Sequence, residues 1–135
     1  MPFYQETLTL STSNRTDFVP ISSIIQPVIR RWGVRDGICT LYVPHTTAGV
    51  LINEGCDPDV VGDVAKQLDK VIPWEAGYAH MEGNSAAHIK AILVGNSQQL
   101  FIASGLISLG QWEEVFFAEF DGPRSRKIIV GCYAD

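Results

Sequence analysis

The last third of the chain decides which fold classes are open. The runs "QLFIAS" (99–104), "EVFFAEF" (114–120) and "RKIIVGCY" (126–133) are short and rich in β-branched and aromatic residues. They follow one another without a helical period between them, so they read as successive strands. Two more strands lie upstream: "YQETLTLS" (4–11), which alternates apolar and polar residues, and "ICTLYV" (38–43). Helical spacing is confined to three segments. In 20–32 the residues Ile21, Ile24, Ile25, Val28, Ile29 and Trp32 share a face, Gly33 can end the helix, and Pro27 predicts a kink or early break. Asp57 and Pro58 suit the cap and first position of a second helix, with Val60, Val61, Val64, Leu68 and Val71 as its apolar stripe and Pro73 as its stop. "NSAAHIKAILVG" is a third, short helix. Strands in runs and helices in a group predict an α+β fold with a mainly antiparallel sheet or sandwich and the helices clustered on one side.

At 135 residues the chain is expected to form one compact domain spanning 1–135, and its 46% hydrophobic content can fill a core. Charged residues make up 19%, a share low enough to suggest surface that is neutral or covered by self-association. The net charge of −5 argues against sequence-independent nucleic-acid binding, while leaving room for a local basic pocket. No apolar run reaches membrane-spanning length, and "MPFYQETLTL" lacks the pattern of a signal peptide. A cytoplasmic protein without nucleic-acid or membrane partners is expected. Cys39, Cys56 and Cys132 are widely spaced and form no Cys-x-x-Cys pair, which predicts free thiols.

All three histidines fall in segments rich in Gly, Thr or Asn at the ends of predicted elements. His45 leaves a strand and is followed by Thr46, Thr47 and Gly49, whose turn can present hydroxyls and amides to a ligand. The plainer reading is a turn whose histidine is satisfied by the backbone. "NEGCDPD" (53–59) holds three acids. Asp57 and Asp59 suit a helix N-terminus, whereas Glu54 is left as a candidate general base. "HMEGNSAAH" (80–88) brackets an acid and an amide with two histidines. Asn84 and His88 share a helix face, and His80 with His88 forms a two-ligand set for a metal. Alternatively Glu82 and Asn84 cap the helix and His80 is exposed. In "EFDGPRSR" (119–126), Asp-Gly-Pro marks a turn. Arg124 and Arg126 beside it suit an anion, or pair with the acids at a solvated hairpin end. Phosphate-loop, dinucleotide-binding and nucleophile-elbow motifs are absent from the sequence.

The runs "VPHTTAGVLINEGCDPDV", "HMEGNSAAHIKAILVG", "SQQLFIASGLISLGQW" and "FFAEFDGPRSRKI" together resemble the YjbQ family, in its order and over nearly the whole chain. Members are often described as secondary thiamine-phosphate synthases. The resemblance implies a β-sandwich-like core, a homotrimer, and a polar pocket where His45, His80 and His88 converge on a divalent metal, with Glu54 and Asn84 nearby. Three imidazoles suit zinc better than magnesium. It implies a transferase that joins a hydroxymethylpyrimidine diphosphate to a thiazole phosphate. His45, His88 and Glu54 are then the catalytic candidates. Thr46, Thr47, Asn53, Asn84 and Arg124 are the candidates to hold a small phosphorylated metabolite. The other expectations are a zinc-dependent hydrolase with Glu54 as base, and a non-catalytic trimer that binds a metabolite or metal. One segment departs from the family: its Gly-Thr-Trp-Gln reads Gly110-Gln111-Trp112-Glu113 here, a change that would weaken anion binding if it lined the pocket.

Overall fold

The computed structural model describes residues 2–134. Eight strands and three helices follow in the order β1 (Phe3–Ser11), β2 (Asp17–Pro20), α1 (Ser22–Trp32), β3 (Gly37–Tyr42), β4 (Ala48–Glu54), α2 (Pro58–Val71), α3 (Ser85–Val94), β5 (Ser97–Ala103), β6 (Leu106–Ile107), β7 (Glu113–Glu119) and β8 (Ser125–Ala134). Every strand pairing is antiparallel. One sheet has the order β1-β8-β3-β5-β6 and the other β2-β7-β4. The α+β single domain with a sandwich-like antiparallel core is therefore as expected.

Alternation builds the core. Cys39 and Leu41 of β3, Leu100 and Ile102 of β5, and Ile128, Val130 and Cys132 of β8 all turn inward from the larger sheet. Ala48 and Val50 of β4 and Val115 and Phe117 of β7 meet them from the smaller one, with Ile21 just before α1 and Ile25 and Ile29 within it completing the cluster. Strand β7 is buried on both faces, because Ala118 and Phe120 pack on Ala87 and Ala91 of α3. A strand covered on both sides reads as a continuous apolar run, which explains "VFFAEF". The approach of α3 to β4 is so close that a Cβ on Gly49 would lie 2.4 Å from the Gly95 carbonyl oxygen.

Several local expectations need correction. Pro27 does not break α1, which continues to Trp32 and ends on Gly33 at φ 70°. The carbonyl left without its donor by Pro27 belongs to Ser23, which is exposed to water. No residue of α2 is fully buried. Leu68 reaches the α3 cluster, but Val64 and Val71 stay open to solvent. Strands β2, β4 and β6 were not among the expected elements; β4 forms because "AGVLINE" pairs along its whole length with β7. The Asp57 cap and Pro58 start of α2 are present, the Asp57 carboxylate accepting from the Asp59 N–H at 3.0 Å.

Candidate functional site

One end of the sandwich is polar. There β1, β3 and β7 finish and β4 and β8 begin, so the connections between them share a rim. A cavity of about 670 Å³ opens at this rim. Its walls are the β3–β4 connection through Thr47, the segment before α3 together with His88, Asn96 ahead of β5, and the β7–β8 turn with Asp121, Arg124 and Arg126.

A buried ion pair forms the floor. Glu119 of β7 and Arg126 of β8 are 0% and 2% exposed and join the two sheets. The Arg126 Nε donates to Glu119 Oε1 at 2.8 Å, and its Nη2 to Glu119 Oε2 and, at 2.8 Å, to the Thr47 hydroxyl. Glu119 also accepts from the Thr12 hydroxyl at 2.8 Å and from the Asp121 N–H at 2.9 Å. Burial pushes the Glu119 carboxyl pKa up, but the guanidinium and these donors outweigh it and hold it below its ordinary value. Charges this deep persist only when so paired.

His45 stands above this floor with its ring oriented by the backbone. The Lys127 N–H donates to His45 Nε2 at 2.9 Å. A neutral imidazole has one ring lone pair, so this bond assigns the proton to Nδ1. Burial, and then the Arg126 and Arg124 charges, hold the His45 pKa below its ordinary value against the opposing pull of Glu119. His45 is thus a neutral N–H donor.

The β7–β8 turn contains a cis Gly122–Pro123 bond. Arg124 folds back on it, donating from Nε to the Asp121 carbonyl at 2.9 Å and from Nη2 to its carboxylate at 3.1 Å. Arg124 is paired with an acid, as the plainer reading of this segment expects, and it also lines the cavity, whereas Arg126 is buried rather than at a solvated hairpin end. Among the described residues, neither Arg124 Nη1 nor Arg126 Nη1 has a partner.

The opposite wall comes from 80–88. Asn84 precedes α3, but its side chain does not cap the helix. Its amide donates instead to the Asp121 carboxylate at 2.9 Å, which fixes the amide's orientation and leaves Oδ1 buried with no donor among the described residues. His80 and His88 meet edge to face with ring centroids 5.5 Å apart. His80 and Glu82 are exposed.

Of the candidates, His45, Thr46, Thr47, His80, Asn84, His88 and Arg124 all line the cavity. Asn53 and Glu54 do not. They end β4, with Glu54 six residues beyond Ala48, roughly 20 Å along an extended strand. The Glu54 carboxylate there accepts from the Cys56 N–H at 2.8 Å, and the Asn53 side chain accepts from the Glu54 N–H at 2.8 Å. The 110–113 segment also lies at that end, where Glu113 pairs with Glu54 and the Trp112 carbonyl accepts from Gly55. The Gln111 and Glu113 departures therefore lie outside this cavity. The sequence reading missed Asn96, the acceptor role of Asp121, and the Thr12–Glu119–Arg126–Thr47 floor. Glu119 had a signal, being an acid within a run that packs as core.

The metal expectation also needs correction. Among the described residues, no group of three or more His, Cys, Asp or Glu side chains is arranged to hold a metal ion. The cause is visible at His45: its one lone pair is taken by Lys127, leaving the pair of exposed His80 and half-buried His88 without a third imidazole. Among the described residues, the three-histidine ligand set that a zinc-bound hydrolytic water or a metal-binding trimer would need is not assembled.

The family model described as "UPF0047 protein YjbQ-like" matches residues 6–135. The Bacillus subtilis UPF0047 protein YugU is 43% identical over 126 residues, covering 93% of this chain and 96% of that protein. Among solved structures, an uncharacterized YjbQ/UPF0047 family protein from Clostridium acetobutylicum superposes with a TM-score of 0.92 at 47% identity, covering 95% and 99% of the two chains. A YbjQ-like protein of unknown function from Sulfolobus solfataricus gives 0.94 at 25% identity, covering 99% of each. These proteins are described without an activity, and none as a thiamine-phosphate synthase. With no metal ligand set either, the transferase expectation is withdrawn. No helix among the described residues is long and apolar enough to cross a membrane.

Proposed function

The chain belongs to the UPF0047 family of YjbQ-like proteins, and for this member we propose a cavity that binds the anionic group of a small phosphorylated metabolite. One observation carries the reading: the neutral Nδ1–H of His45 shares a cavity with the unpartnered Nη1 groups of Arg124 and Arg126. Donors held in place before the ligand arrives lose little entropy on binding it, and guanidinium matches phosphate geometry. The floor supports this, because Glu119 and Thr47 hold Arg126 without using all its donors. Asn84 Oδ1 and Asp121 add acceptors, which suits a ligand that also carries a hydroxyl or amine. A cytoplasmic location is consistent with three unpaired cysteines.

The same proposal includes self-association as a homotrimer. Phe3, Ile38, Tyr42, Phe101 and Tyr133 lie between 40% and 64% exposed on the outer face of the five-stranded sheet, a cluster of large apolar side chains that association would cover. Light scattering after size exclusion should give three times 14.8 kDa; a monomer would remove this part.

Titration calorimetry with inorganic phosphate tests the binding reading. Wild-type protein should bind, and Arg124→Ala should weaken binding about tenfold, the loss of one charge-assisted contact. No binding by the wild type would overturn it.

A further inference from the structure

A second cavity of about 410 Å³ adjoins the first. His45, Thr46, His88 and Asn96 line both, so the two spaces meet across a shared partition. The character of the wall changes there. Beyond the shared residues the second space is bounded by Ala48 of β4, Ala91 and Ile92 of α3, and Gly95. None of these offers a side-chain donor or acceptor. The space exists because these positions are small: Ala48 is fully buried, Ala91 is 7% exposed, and Gly95 at φ 90° carries no side chain. Ile92 stands at the lip, 79% exposed.

The geometry points to a ligand in two parts: a phosphate held by His45, Arg124 and Arg126, and a flat or branched apolar body seated against Ala91 and Ile92, over the space that the buried Ala48 leaves open. This rests on the anion reading above and narrows it to phosphate esters of aromatic or branched aliphatic groups. Sugar phosphates fit poorly, since hydroxyls pressed on alanine and isoleucine lose their water without gaining partners. An apolar ring in the same place leaves water favourably.

Calorimetry with inorganic phosphate, phenyl phosphate and glucose 6-phosphate separates the two readings. Wild-type protein should bind phenyl phosphate roughly tenfold more tightly than inorganic phosphate, as expected for partial burial of one ring. Glucose 6-phosphate should gain nothing over inorganic phosphate. In Ile92→Asn the phenyl advantage should fall to about twofold, on the same scale, with inorganic phosphate affinity unchanged. Leu93→Asn, at an exposed neighbour outside both cavities, should retain the full advantage. Equal affinity for the two phosphates in the wild type would overturn the two-part ligand and leave the anion reading standing. So would a phenyl advantage that survives Ile92→Asn. Failure to bind any of the three would overturn the anion reading and this inference with it.

Discussion

The two walls of the cavity are built differently. On one side, His45 is tied to the Lys127 backbone, Thr47 to Arg126, and Arg126 to Glu119, so each donor is held by a group that is itself held. On the other side, residues 80–82 are exposed; the segment is closed on itself by the Gly83–His80 turn bond and is joined to the rest by the His80–His88 ring contact and the Asn84–Asp121 bond. The first wall is assembled at folding, at the cost of burying charge. The second has little to lose by moving. A rigid donor wall facing an adaptable one is an arrangement that can fix a ligand's anionic group while tolerating variation in the rest of it.

That contrast is broken most forcefully at Glu119. In Glu119→Gln the Arg126 guanidinium stays buried without its counter-charge, and unfolding free energy should fall by about 3–5 kcal/mol. Chemical denaturation measures it; a loss under about 1 kcal/mol would mean the floor is not the brace described.

A smaller effect is expected from pH at His45. Its folded pKa lies below the ordinary value of 6.5, so the unfolded chain takes up the proton first. Stability from this group is full above pH 6.5 and is lost as pH falls from there toward the folded value. His45→Gln should therefore show a shallower decline in stability just below pH 6.5 than the wild type. Identical slopes would place His45 in a wetter setting than its backbone tie implies.

The smallest change is expected on the adaptable wall. His80 is exposed, and its ring meets the ring of His88 edge to face. His80→Ala should alter stability by less than about 0.5 kcal/mol. A loss like that at Glu119 would erase the distinction between the walls.

The same contrast explains how much was legible beforehand. Strands β3, β5, β7 and β8 stood out because alternation or continuous apolar runs follow directly from burial on one face or two. Strand β4 did not: Gly49 weakens its strand signal, and the reason for a glycine there, the Gly95 carbonyl pressing on it, belongs to tertiary packing. His45, His80 and His88 were found because polar residues at element ends are where cavities form. Glu54 misled because helix capping did not account for it, yet a full strand separates it from His45 and its carboxylate is used locally by the Cys56 N–H. The metal expectation failed at the level of one atom, since no sequence pattern reveals that a distant Lys127 N–H occupies Nε2. Glu119 and Arg126 were both visible as charges, but their partnership depends on two sheets meeting at that end.

The central claim, a neutral His45 that offers Nδ1–H to an anion, is open to direct test by long-range proton–nitrogen NMR of the imidazole rings at pH 7, with and without inorganic phosphate. The His45 signal, assigned with His45→Gln, should show a protonated Nδ1 and a bare Nε2, and the Nδ1 proton should move downfield as phosphate is added. A ring protonated at Nε2, or an Nδ1 that does not respond to saturating phosphate, would contradict the account.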